Sequence, residues 1–301
     1  MGKIVVAGSI NMDVVAQTAT HPRPGETVFG HKLHYIPGGK GSNQAVAASR
    51  LSDHVYLVGK LGRDPFGDSL TQFLSDERLS LDYLRYSDDK PTGVALITVN
   101  AASENTIVVI SGSNFELSVE DVRAMPLDPD DVVVSVFEIP QETIKALFSR
   151  AKDVGATTIL NPAPATDFID GLLPLVDYLI VNETELATFA DSEIVNEDPE
   201  HIHALVKRFR ASTAQTIIVT LGAKGVICVH NDDLIQIAGR SVKAIDTTGA
   251  GDCFTGAFAT ACFENMPLRD AIQFANKAAA LSVQKLGASS SMPYRVDVDS
   301  L

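Results

Sequence analysis

Short runs of Val and Ile recur along the chain, and a helical pattern follows most of them. The strand candidates are Lys3–Ala7, Val55–Val58, Val132–Val136, Thr157–Leu160, Tyr178–Val181, Thr216–Thr220 and Gly225–Val229. They are continuous rather than alternating, as strands buried on both faces read. Helix candidates lie among them at Ser42–Arg50, Phe66–Ser75, Gln141–Val154, Glu183–Ala190, Glu200–Arg210, Asp252–Glu264 and Leu268–Lys285. In the last, Ala271, Phe274, Ala275, Ala278 and Leu281 fall on one face. This alternation predicts an α/β chain, with a mostly parallel central sheet flanked by helices and crossovers of one hand. Its 301 residues suit one large domain over 1–301.

Two stretches break the rhythm, at about 14–36 and 93–110. Both contain strand-like runs without helices between them. The second reads as a hairpin, Val94–Val99 and Thr106–Ile110, joined by polar Asn100–Asn105. These strands form either a small β-sheet lid beside the core, able to exclude water from a site, or an edge extension of the main sheet.

The formal net charge is -14, and no segment gathers Lys and Arg into a block. A partner with a bare phosphate backbone needs a basic face, so nucleic acid is not expected. A small phosphate ligand remains compatible, because glycine-loop amides and helix N-termini supply local positive potential. Cys228, Cys253 and Cys262 form no C-x-x-C pair and suggest neither a disulfide framework nor a zinc site. The seven His residues show no ligand spacing and read as surface or packing groups. No run of about 18 apolar residues is present, so no membrane span is expected. The N-terminus reads as a strand rather than a signal peptide, and a cytoplasmic location is expected.

The strongest local motif is Asp246-Thr-Thr-Gly249-Ala250-Gly251-Asp252, ahead of an apolar helix. Three small residues let backbone amides approach an anion, and the helix aims its positive end at the same place. Asp252 is then either an ordinary N-terminal helix acid or a base that takes a proton from an attacking hydroxyl. A second motif, Gly38-Gly39-Lys40-Gly41-Ser-Asn43-Gln44, opens another helix. Its glycines permit close approach, and Lys40 and Asn43 offer donors. It is not a Walker A loop, since Gly41 follows Lys40 where Ser or Thr is required. In a third, Gly8-Ser-Ile-Asn11-Met-Asp13, the alternation of Asn11 and Asp13 puts both on one face of an extended chain. Local Asx turns are the other reading of that segment. Glu185, three residues after Asn182, either holds waters of Mg²⁺ or completes a capping box. Thr220-Leu-Gly222-Ala-Lys-Gly225 follows a strand and suits either a nucleotide loop or a plain hairpin turn.

Taken together, these motifs resemble the ribokinase-like carbohydrate kinase family over nearly the whole chain, from Gly8 to Pro293. The set is specific where each piece is weak: Gly39-Lys40-Gly41-x-Asn43-Gln44 stands some two hundred residues before Gly249-Ala-Gly-Asp252, with Asn182-Glu-Thr-Glu185 between. The resemblance implies an α/β sandwich with a β lid that pairs with a second subunit's lid in a homodimer. It implies that Asp252 is the base and that the amides of Gly249, Ala250, Gly251 and Asp252 form an anion hole. Sugar hydroxyls would be read by Asn11, Asp13, Gly39, Lys40, Asn43 and Glu138. ATP, with Mg²⁺ near Glu185, would lie along Asn182, Thr220, Gly222, Gly225, Gly251 and Asn276. A monovalent cation, potassium in kind, would be held by Asp246, Thr248, Ser282, Lys285, Gly287 and Ser291.

The chain departs from the family pattern at Ser52-Asp53 and Glu77-Arg78, where glycines usually close helices, and at Ala101-Ala102-Ser103 in the lid turn. The expected reaction is transfer of the γ-phosphoryl group of ATP to O5 of D-ribose. The rivals are a kinase for 2-deoxyribose, fructose or a nucleoside, and a sugar sensor that has lost catalysis. A Rossmann dehydrogenase fits poorly, because no G-x-G-x-x-G follows the first strand.

Overall fold

The structure is a computed structural model that describes residues 2–102, 104–192 and 198–301. In chain order the strands and helices are β1 (Ile4–Ala7), β2 (Asn11–Thr18), β3 (Gly30–Gly38), α1 (Lys40–Ser49), β4 (Val55–Gly62), α2 (Pro65–Asp76), β5 (Leu79–Ser80), β6 (Leu84–Ser87), β7 (Gly93–Val99), β8 (Asn105–Ile110), α3 (Val119–Arg123) and β9 (Val132–Val136). The chain continues through α4 (Gln141–Val154), β10 (Thr157–Asn161), β11 (Tyr178–Asn182), α5 (Glu183–Phe189), α6 (Pro199–Phe209), β12 (Thr216–Thr220), β13 (Gly225–His230), β14 (Asp233–Ala238), α7 (Ala250–Phe263), α8 (Leu268–Ser282) and α9 (Arg295–Asp299).

Ten strands form the main sheet, in the order β14-β13-β12-β11-β10-β9-β1-β4-β5, with β6 also paired to β4. From β12 to β5 the pairs are parallel, and β13 and β14 add antiparallel at one edge. Successive residues of each central strand enter two different cores. Ile4, Val6, Val134, Ile159 and Ile180 pack under α1, α7 and α8, while Val5, Val133, Leu160, Leu179 and Val181 pack with residues of α4, α5 and α6. Burial on both faces is why the runs lack alternation. The last strand, β14, carries exposed and half-buried positions and has no such run, so its sequence gave no clear signal.

Strands β3-β2-β7-β8 form a separate small sheet. Its outer pairs are antiparallel, and β2 runs parallel to β7. The lid therefore exists apart from the main sheet, and its first strand begins at Asn11, inside the proposed sugar motif.

Helix ends follow local chemistry. Asp64 caps α2 ahead of Pro65, accepting from the Gly67 N–H at 2.9 Å. Gly155 closes α4 with φ 85°. Neither Ser52-Asp53 nor Glu77-Arg78 adopts a left-handed backbone, and Glu77, which closes α2, is extended with φ -85°. No left-handed conformation is demanded of these residues. Instead Arg50 and Glu77 form a two-point ion pair at 2.5 and 3.0 Å, and Arg50 also donates to the Met292 carbonyl at 2.7 Å. Of the lid turn, Ser103 lies outside the described residues.

Candidate active site

The two glycine bends face each other. Gly39, with φ 92°, leads into α1, and Gly249, with φ 74°, leads into α7. The helices cross at Gly256, where a methyl group would overlap the Gln44 carbonyl and the Ala47 side chain. That close approach brings the first turn of α1 onto the first turn of α7. The Asn43 amide donates to Asp252 Oδ2 at 3.0 Å, and the Gln44 amide donates to Asp252 Oδ1 at 3.1 Å. Ser289 fixes the orientation of Asn43 by donating to its Oδ1 at 2.5 Å.

Asp252 is buried, at 6% exposure. Burial raises its proton affinity, while the Lys40 charge and the Asn43 and Gln44 amides pull it back down. The Ala250 N–H donates to the Thr247 carbonyl at 3.2 Å, while the other N–H groups of the first turn of α7 lack intrahelical partners, so the same place offers amides to an anion. A Cβ at Gly251 would meet nothing within 4 Å, leaving open space in front of those amides.

On one side of Asp252 stand the predicted sugar residues. The Ser9 hydroxyl donates to Glu138 Oε2 at 2.5 Å, and the Lys40 N–H donates to the same oxygen at 3.1 Å. Asn11 opens β2 opposite Gly38, and its Oδ1 accepts from Asn114 Nδ2 at 2.7 Å. Asp13 lies against Gly38, where any side chain would overlap its carboxylate. Burial, with Glu138 and Asp252 nearby, pushes the Asp13 carboxyl up to about 7. Lys40 carries the countercharge, held more firmly protonated chiefly by Asp252 and also by Glu138 and Glu185.

On the other side two cavities share a wall. One, of about 330 Å³, is lined by Lys40, Asn161, Asn182, Glu185, Thr220, Gly249, Gly251 and Asp252, among others. The second, of about 450 Å³, runs from Thr220, Gly222, Gly225 and Gly251 to Asn276, along a largely apolar wall that includes Val226, Val242, Phe254 and Ala279. The structure thus brings Asn182, Glu185, Thr220, Gly222, Gly225, Gly251 and Asn276 to one continuous cleft. Of the two readings of Glu185, the capping box is the one observed. Glu185 completes it with Asn182, at 2.8 and 2.9 Å, and its carboxylate lines the cleft, where burial raises its proton affinity. A hard cation on a ligand's phosphates suits such a carboxylate.

The predicted ion residues form a third neighbourhood. Asp246 Oδ1 accepts from the Thr248 N–H and hydroxyl at 3.0 and 2.7 Å, and its Oδ2 accepts from the Gly287 N–H at 2.9 Å. These bonds hold its carboxyl below the usual range against the opposing effect of partial burial. The hydroxyls of Ser282 and Ser291 turn to the carbonyls of Ala279 and Ala288. A hydroxyl that donates its hydrogen keeps its lone pairs, so these oxygens and the neighbouring backbone carbonyls are both neutral donors of a type that suits an alkali cation. Among the described residues no group of three or more His, Cys, Asp or Glu gathers as a metal site.

The family model described as pfkB family carbohydrate kinase matches residues 1–295. The chain belongs to the pfkB family of carbohydrate kinases. This kinase is 38% identical over 294 residues to the ribokinase of Haemophilus influenzae, covering 97% of this chain and 95% of that one. The crystal structure of ribokinase from Thermotoga maritima covers all of this chain, and 99% of its own, at a TM-score of 0.88 and 33% identity. The structure of Arabidopsis thaliana ribokinase complexed with ribose and ATP covers 100% of this kinase and 98% of itself, at a TM-score of 0.89 and 32% identity.

Several residues around the site carry no signal that sequence reading of this kinase can use. Ser9 lies within the Gly8–Asp13 motif, but its bridge to Glu138 crosses 129 residues. Asn114 sits in unremarkable surroundings, and Asn161 opens an Asn-Pro-Ala-Pro run after a strand candidate that says nothing of its partners. Gly256 reads as a weak point in a helix, and only the crossing with α1 gives it a role. Arg240, Ser241 and Val242 line the larger cavity from a segment without a motif.

Proposed function

We propose that this kinase transfers the γ-phosphoryl group of ATP to O5 of D-ribose, with Asp252 as general base. The observation that carries the reading is the buried Asp252 carboxylate, held by two side-chain amides at the junction of a polar pocket and an elongated cleft. The relatives named ribokinase, and the one complexed with ribose and ATP, support the choice of substrates.

In this reading Asn11, Asp13, Gly39, Lys40, Asn43 and Glu138 hold the sugar so that its primary hydroxyl lies between Asp252 and the γ-phosphorus. Asp252 takes the hydroxyl proton, the new O–P bond forms, and the bond to ADP breaks. The amides of Gly249, Ala250, Gly251 and Asp252 stabilise charge on the equatorial oxygens. The nucleotide lies along Asn182, Thr220, Gly222, Gly225 and Asn276. When bound, Mg²⁺ neutralises phosphate charge, and Glu185 orients its waters. Asp246, Thr248, Ser282, Lys285, Gly287 and Ser291 would hold a potassium-like ion, whose charge would order the loop behind the anion hole.

The lid excludes water and pairs with a second copy. Support for pairing is apolar exposure: Leu33, Tyr35, Ile107, Val108, Val109 and Ile110 are each about half exposed on the small sheet. The reading places the chain in the cytoplasm, where ATP is made available. No described helix is long and apolar enough to cross a membrane.

The test is ADP release with ribose, 2-deoxyribose, fructose and a nucleoside as acceptors, with potassium present and then withheld. Ribose is expected to give the highest kcat/KM, and potassium to raise it. A higher kcat/KM with another acceptor would replace the ribose assignment. ADP release that no sugar accelerates would leave the sensor reading in its place.

A further inference from the structure

Gln44 lies fully buried beside Asp252 and has no route to solvent. Its Nε2 reaches two acceptors, Asp252 Oδ1 at 3.1 Å and Asn161 Oδ1 at 3.2 Å. Asn161 in turn donates Nδ2 to the Ile180 carbonyl at 3.0 Å. The orientation of both amides follows from that last bond. A backbone carbonyl only accepts, so Asn161 presents its NH2 to Ile180 and its oxygen to Gln44. Gln44 must then present its own NH2, with one N–H left for the carboxylate. The polarity of the chain is set at β11 and delivered to α7.

The arrangement is not explained by packing. Gln44 Oε1 is buried without a hydrogen-bond partner among the described residues, which is costly in a core. An apolar side chain of similar size would avoid that cost. Asn43, the other amide on Asp252, stands among the sugar-side residues, whereas Gln44 is shielded from any ligand.

We infer that Gln44 is a positioning residue for Asp252, and that Asn161 orients Gln44 for the task. The inference rests on the proposed role of Asp252 as base. Gln44 fixes Oδ1 and favours the ionised carboxylate against its burial, so that the acceptor proton finds a deprotonated oxygen in a set direction. Lys40 from α1 acts in the same sense, while Asp13 from β2 and Glu185 from α5 act against it, and Cys253 adjoins it on α7. Glu138 faces Lys40 and Asp13 from the turn after β9.

The experiment is the pH dependence of kcat at saturating ribose and ATP, where groups bound by substrate are held constant. Gln44→Leu should move the acid limb up by about one pH unit. The KM values for ribose and ATP should stay within about twofold, since Gln44 touches neither ligand. Asn161→Ala should move the limb the same way by less, and should add nothing in the Gln44→Leu background. A uniform fall in kcat with the limb unmoved would overturn the inference, as would additive shifts from the two substitutions. If thermal unfolding shows Gln44→Leu to be unfolded, Asn161→Ala alone decides, and an unmoved limb overturns the proposal. Asp252→Asn separates this from the underlying reading. If that variant turns over normally, the base assignment fails. If it is inactive while Gln44→Leu leaves the limb in place, only the positioning role fails.

Discussion

The Asn43 amide lies 3.0 Å from the Asp252 carboxylate, across 209 residues of chain. This single bond joins two glycine bends that lie far apart in the sequence. It is possible because α1 and α7 meet at Gly256 and because both helices start at the site. One helix brings a side-chain amide, and the other brings a carboxylate and N–H groups without intrahelical partners. An alcohol and a phosphate chain can then meet at one oxygen.

Replacing Asp252 with Asn keeps nearly the same volume and removes the base. Turnover should fall by at least ~10², with ribose and ATP binding retained. Single-turnover kinetics and calorimetric titration check the two halves of that statement. Normal turnover in the variant would assign the proton to another group.

Much of this was legible in advance, and the reason is periodicity. Strands buried on both faces announce themselves as continuous apolar runs, so β9 and β12 fall where the sequence puts them. Helix starts are marked by chemistry, as at Asn182 and Glu185. What stayed hidden depends on distance across the fold. Nothing adjacent to Asn161 says that it reaches Ile180 on the neighbouring strand. Nothing adjacent to Ser289 says that it orients Asn43. The sequence shows that Glu77 stands where a glycine is usual, but not that Arg50 gives it a partner or that its backbone is extended.

Gly256 should tolerate no side chain. A methyl there meets the Gln44 carbonyl and Ala47, neither of them the end of a flexible group. Gly256→Ala should cost about 1–3 kcal/mol in stability, as overpacking in a close-packed core does. It should also lower kcat, because the same displacement parts Asn43 and Gln44 from Asp252. Denaturant unfolding and steady-state kinetics measure both. A stable variant with unchanged kcat would show that the crossing does not set the site.

Asp13 predicts a pH dependence with a definite sign. Its carboxyl in the folded protein is pushed up to about 7 from the usual 3.8. Between those values the folded state holds a proton that the unfolded chain has released. The free protein should therefore lose stability as pH rises from about 4 to 7. Asp13→Asn should flatten that loss, seen in thermal unfolding at pH 5 and pH 8. Ribose affinity of the parent should rise by about tenfold from pH 6 to pH 8, following the ionised fraction, if the carboxylate accepts the sugar hydroxyls. Equal affinity at both pH values would remove Asp13 from the sugar contacts.

Asp246 connects the loop before α7 to the turn after α8 through its bond to the Gly287 N–H. Its charge is also the one full negative charge among the residues proposed for the potassium-like ion. Asp246→Asn preserves the shape of the side chain but not that charge, and one amide nitrogen replaces an accepting oxygen. The variant should respond weakly to potassium, with kcat at saturating ribose and ATP near the parent's value without the ion. A potassium titration of initial rate, read for parent and variant side by side, measures this. Because Asp246 stands behind the anion hole, KM for ribose should change by less than about twofold. Full activation at the parent's potassium midpoint would place the ion elsewhere, and a loss of ribose binding would tie this loop to the sugar pocket instead.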